Sequence, residues 1–206
     1  MLATGLIAVS SGPWLMRRSL NPLISATATL PARTLSYFLT VQRYRNGKPD
    51  QAEFISSGRE IFEAGWQFKL HVSSPQEGFL YLLNEDADRN FALLFPLPAH
   101  NNGSAHLSAN ERFQTGAYLF DERPGTERFR LVWAAQPVPE LEAVRELVNP
   151  VNQGRISDSS QRQAIETFLQ QHALPPIKSV RDPSSKQTTI GSRGAVLVEL
   201  IELAHR

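Results

Sequence analysis

Two almost uninterrupted apolar runs constrain this chain more than any other feature. "GFLYLL" (78–83) and "FALLF" (91–95) flank the polar stretch Asn84-Glu85-Asp86-Ala87-Asp88-Arg89-Asn90. Runs of this length suit strands, and a strand that is apolar at successive positions needs cover on both faces. A hairpin of two central strands is expected, with the polar stretch as its turn.

The neighbouring segments alternate instead. In "TLSYFLTVQRYRNGKP", Leu35, Tyr37, Leu39 and Val41 interleave with Ser36, Phe38, Thr40 and Gln42, and Asn46-Gly47 supplies a turn. A short strand over 52–57 is expected to pair back across it. "WQFKLHVSS" places Trp66, Phe68, Leu70 and Val72 on one face and Gln67, Lys69, His71 and Ser73 on the other, a strand with one wet face. Further strands are expected over 116–120 and over 127–134, where Phe129, Leu131 and Trp133 alternate. Many aromatic side chains fall on these strands, where core packing is the simplest use for them.

Two helical patterns follow. "VPELEAVRELVN" (138–149) gathers Leu141, Val144 and Val148 on one side, with Pro139 in the first turn. Over 158–172, Asp158 stands as N-cap with Gln161 three residues on, and Ile165, Phe168 and Leu169 make an apolar stripe ended by Pro175-Pro176. "AVLVELIEL" reads as a strand through Val196, Val198 and Leu200, although Leu197, Leu200 and Ile201 also satisfy a helical period. The fold class expected is mainly β: an antiparallel β-sandwich, Ig-like or related, with a two-helix insertion before the last strands.

The chain of 206 residues, 41% hydrophobic and 20% charged, is long enough for one globular domain with extra sequence at an end. Residues 1–18 resemble a truncated membrane segment: 2–16 are apolar but shorter than a bilayer span, and Arg17-Arg18 follow rather than precede them. An unstructured tail is the other reading. Residues 19–33, "SLNPLISATATLPAR", look like a linker, leaving 34–206 as a single sandwich domain.

A net charge of +1, without long single-sign runs, gives no case for nucleic acid. The absence of cysteine excludes disulfides, thiolate metal sites and cysteine nucleophiles. No G-x-S-x-G, G-x-G-x-x-G or G-x-x-x-x-G-K-[ST] occurs, and "SSG" at 56–58 reads as a turn. No cofactor is implied.

Asp86, Asp88 and Asn90 match the opening D-x-D-x-N of a calcium loop and are the candidate metal ligands. Phe91 then stands where the loop needs glycine, and Leu97 where it needs a bidentate glutamate, so a solvated turn is the preferred reading. Two histidines, His100 and His106, share a loop rich in Asn and Gly. A metal-dependent enzyme using Asp86, Asp88 and His100 or His106 requires those residues to converge in space.

The set "LSYFLTVQRYRNGKP", "SSPQEGFLYLLNE", "LLFPLP", "NNGSAHLSANE", "FDERPGTERFRLVWAA" and "PVPELEAVRELVN" resembles the bacterial domain-of-unknown-function family 4384, DUF4384. The resemblance implies an accessory module that follows a serine/threonine protein kinase, a membrane span and a linker, or accompanies caspase-like peptidases. Kinase activity is not implied, since no H-R-D or D-F-G element is present. The expectation is a non-catalytic sensor or accessory domain that binds a small ligand or a protein, tethered to a membrane through its N-terminal segment and favoured to be extracytoplasmic, with a cytoplasmic place the other option. A metal-dependent enzyme and a structural or assembly module are the alternatives.

Overall fold

The computed structural model describes residues 32–86, 89–173 and 178–206; the expected membrane segment and most of the linker, along with Asp88 and Pro175-Pro176, lie outside them. In chain order the elements are β1 (Ala32–Gln42), β2 (Tyr44–Arg45), β3 (Lys48–Pro49), β4 (Phe54–Ser56), β5 (Gln67–Ser73), β6 (Gly78–Glu85), β7 (Phe91–Phe95) and β8 (His106–Leu107). They continue with β9 (Arg112–Gln114), β10 (Tyr118–Leu119), β11 (Gly125–Ala134), α1 (Pro139–Arg145), α2 (Ser159–His172), β12 (Lys178–Arg181), β13 (Thr188–Arg193) and β14 (Val196–His205).

All strand pairings between these elements are antiparallel. One sheet runs β10-β5-β1-β13-β12, with β4 on β1 and β9 on β5; the other runs β14-β11-β6-β7, with β8 on β6. The expected mainly-β sandwich and its two-helix insertion are both present. β2 and β3 form a separate hairpin, turned at Asn46 (φ 52°) and Gly47 (φ 74°) as the Asn-Gly pair requires.

Strand alternation builds the first core. Leu35, Tyr37, Leu39 and Val41 of β1 and Phe68, Leu70 and Val72 of β5 meet Leu80, Leu82, Leu131 and Trp133 of the opposite sheet. The other face of β1 and β5 is polar and half-exposed, with His71 stacked on Phe38 at 4.4 Å and its Nε2 2.9 Å from the Thr40 hydroxyl.

The continuous apolar run of β6 is explained by a second core. Leu80 and Leu82 face the first sheet, whereas Tyr81 and Leu83 face a layer made by α1 and α2, and all four are at most 1% exposed. Val138, Leu141, Val144, Ile165, Phe168 and Leu169 supply that layer. The helices are therefore the cover on the second sheet's outer face, and the molecule is layered sheet, sheet, helices. A register shift between Leu82 and Leu83 divides β7 between the cores: Phe95, opposite Leu82, joins the first, and Leu93, opposite Leu83, joins the second.

The helix ends follow their local chemistry. The Asp158 carboxylate accepts the Gln161 N–H at 2.9 Å, as the N-cap reading expects. At α1 the Tyr81 hydroxyl accepts the Val138 N–H at 3.1 Å and donates to Glu142 at 2.6 Å, so a core phenol does the work of a cap. Here α1 ends at Arg145, short of the expected 149. The Asn149 and Asn152 side chains bond nearby backbone N–H and C=O groups and fold 147–154 into turns instead.

The final segment is a strand, but its phase differs from the simple reading. Leu197, Ile201 and Leu203 enter the first core, while Val196 and Val198 pack towards the helices and Leu200 is 38% exposed. No described helix is long and apolar enough to cross a membrane.

Candidate functional site

At one end of the sandwich the core-facing positions stop being apolar. The β11–β14 and β11–β6 registers put Asn84, Glu127 and His205 on the same inward face as Leu82, Phe129 and Leu203. Strand geometry therefore points three polar side chains at the end of the first core. The Asn84 side-chain amide donates to Glu127 Oε2 at 2.9 Å, and Glu127 Oε1 lies 3.4 Å from His205 Nε2. His205 is buried, packed near the Phe120 ring at 5.4 Å, and its Nδ1 has no hydrogen-bond partner among the described residues.

A cavity of about 510 Å³ opens beside this polar end. Asn84, Asp86, Asn90, Asp121 and Glu127 contribute to its lining, and Arg155 and Arg162 bring the opposite charge. Asp121 follows β10 and is fixed by an Asx turn in which its Oδ1 accepts the Arg123 N–H at 2.8 Å. Arg155 arrives by strand addition: Gly154 O accepts the Leu93 N–H at 2.8 Å and the Ile156 N–H reaches Phe91 O at 2.9 Å, sealing the outer edge of β7. Arg162, from the first turns of α2, donates to Asn90 Oδ1 at 2.9 Å.

The sequence candidates fall as follows. Asp86 and Asn90 meet in the turn between β6 and β7, where Asp86 Oδ1 accepts the Asn90 N–H at 2.7 Å and Oδ2 accepts the Asn90 side-chain amide at 2.9 Å. Both carboxylate oxygens are thus engaged in holding the turn, and both residues border the cavity. Asp88 lies outside the described residues. His106 pairs with Phe79 at the start of β6, whereas Asp86 follows its end, about 23 Å away at the rise of a strand. His100 sits against Gly116, with its Nε2 3.0 Å from where a Cβ would stand there. The fold does not bring His106 to the Asp86 turn.

"SSG" at 56–58 is a turn built around Glu60. Ser56 donates to the Glu60 carboxylate at 2.7 Å. Partial burial would raise that carboxyl's pKa, but the hydrogen bonds from Ser56 and from backbone N–H groups, with Lys186 nearby, hold it down at about 2. The Ser56 hydroxyl thus donates to a carboxylate that orders the turn.

Sequence reasoning passed over Asp121, Glu127 and His205 because they come from three segments without characteristic spacing. The available signal was parity: in "ERFRLVWA" Glu127 occupies the same face as Phe129 and Leu131, and His205 continues the face of Leu203. No family model matches the chain, and no curated protein or solved structure matches it either.

Proposed function

We propose that the protein is a non-catalytic recognition domain that binds a small polar ligand, or a polar segment of a protein, in the cleft at the end of the sandwich. The observation that carries this reading is the cavity of about 510 Å³ lined by groups of both charge signs. A size of that order suits a small ligand, and the lining suits a polar one. Arg155 and Arg162 offer donors to an anionic group, while Asn84, Asn90 and the carboxylates offer acceptors to donors on the same ligand. The resemblance to DUF4384 agrees with an accessory module and favours tethering to a membrane through the residues before β1.

The test is a titration of isotope-labelled protein with pools of amino acids, short peptides, sugar acids and nucleotides, read by amide shifts. Saturable shifts around Asn84, Asn90 and Arg155 that are lost in Arg155→Ala support the reading. Ligand shifts confined to another surface, or robust substrate turnover abolished by one point change, refute it.

A further inference from the structure

We propose that Asp121, Glu127 and His205 form a site for a divalent first-row metal ion of the zinc class in the wall of the end cleft. One ligand atom from each of the three lies within 4.8 Å of the other two. His205 Nε2 and Glu127 Oε1 are 3.4 Å apart. That is long for a charge-assisted hydrogen bond, whose usual span is about 2.7–2.9 Å. It matches the edge of a tetrahedron with metal–ligand bonds near 2.0–2.1 Å, which is about 3.3 Å.

The carboxylates are oriented with one oxygen to spare. Glu127 Oε2 is held by Asn84 and Asp121 Oδ1 by the Arg123 N–H, in the manner of the outer contacts that aim metal ligands. Asp121 is exposed, so its carboxylate can close on an ion.

His205 is the independent observation. Its side chain is only 2% exposed, Nδ1 has no hydrogen-bond partner among the described residues, and Nε2 faces the Glu127 carboxylate at 3.4 Å. Burying an imidazole in that state is costly. A metal ion at Nε2 satisfies the nitrogen that faces the carboxylates. The donor set also chooses the metal: calcium and magnesium prefer all-oxygen shells, whereas an imidazole with two carboxylates suits zinc, manganese or ferrous iron. Three protein ligands leave a coordination position open towards the cleft, where an anionic group of a ligand can reach the ion as well as Arg155.

Zinc binding is read with no organic ligand present, so failure of this site and failure of the ligand reading are separate results. Chelator-treated protein is titrated with zinc, and separately with calcium and magnesium, by calorimetry and by thermal unfolding. The expected result is saturable binding of one zinc per chain, a raised Tm, and no comparable effect of calcium or magnesium. Asp121→Asn changes an exposed side chain and is expected to lower zinc affinity at least about tenfold; Glu127→Gln and His205→Gln are expected to do the same. Should His205→Gln fail to fold, Asp121→Asn decides alone. Absence of saturable zinc binding, or binding unchanged in Asp121→Asn, overturns the proposal.

Discussion

Replacing Gly154 by alanine tests whether the segment that seals β7 also builds the cleft. Gly154 has φ +81°, and a Cβ there would collide with the backbone oxygen of Leu93 and stand 3.1 Å from its carbonyl carbon. The left-handed backbone alone costs an alanine on the order of 1 kcal/mol. Relieving the collision requires the segment to lift off, losing the Leu93 N–H to Gly154 O and Ile156 N–H to Phe91 O bonds, each worth about 1 kcal/mol net. The expected destabilisation is therefore about 3 kcal/mol. Gly47→Ala is the matched control: its φ is +74° but nothing lies within 4 Å of the new Cβ, so only the backbone cost of about 1 kcal/mol should appear. Urea unfolding measures both, and amide exchange at Leu93 and Ile156 reports whether the seal has opened. A Gly154→Ala protein no less stable than Gly47→Ala, with those two amides still protected, would refute the reasoning.

Two further perturbations address the second core and the buried phenols. Arg130 Nε donates to Glu85 Oε2 at 2.7 Å, and the Glu85 side chain is only 6% exposed. Arg130→Met, which strands that carboxylate, should cost about 3–5 kcal/mol, while the pair Arg130→Met with Glu85→Leu should recover most of it in urea unfolding; equal losses in both would contradict a stranded charge. Burial raises the pKa of Tyr37, Tyr81 and Tyr118 above the ordinary value of 10.0, with the Glu199 and Glu142 carboxylates adding to it at Tyr37 and Tyr81. A raised folded-state value means stability is fully present below about pH 10 and declines above it, by up to about 1.4 kcal/mol per pH unit for each phenol. Tyrosinate absorbance from these three should then rise together with alkaline unfolding, and ionisation at pH 10 in the folded protein would contradict their burial.

How much was legible in the sequence depended on the density of apolar residues at strand period. β1, β5 and β11 each carry three or more inward apolar side chains and follow the expected alternation, while β6 sends Leu80 and Leu82 to the first core and Tyr81 and Leu83 to the second, as its continuous apolar run expects. β12 and β13, in "KSVRDPSSKQTTIGSR", place only Thr188 and Ile190 among the buried residues with described side chains, too sparse a pattern to mark two strands. β8 and β9 are two and three residues long and owe their pairing to β6 and β5. The role of the helices was hidden for a different reason. Period 3.6 revealed their apolar stripes, but only the three-dimensional layering shows that those stripes cover Tyr81 and Leu83.

The cleft follows from a rule that most of the sandwich obeys. A strand directs every second side chain inward whatever its chemistry, and over most of β6, β11 and β14 that side chain is apolar. Where the series reaches Asn84, Glu127 and His205, the backbone still aims inward, and apolar packing can no longer stabilise the groups that arrive. Asn84 meets part of the demand by donating to Glu127, yet His205 Nδ1 remains without a hydrogen-bond partner among the described residues. Stability alone would be better served by a leucine at position 205, whose face already carries Ile201 and Leu203. A buried polar ring beside two oriented carboxylates, at the wall of an open cavity, is a stability cost that a bound ion offsets. His205→Leu separates the two roles: it should leave the fold intact or more stable in chelator while removing the stabilisation by zinc. A leucine variant that unfolds in chelator would instead assign His205 to holding the end of the sandwich together.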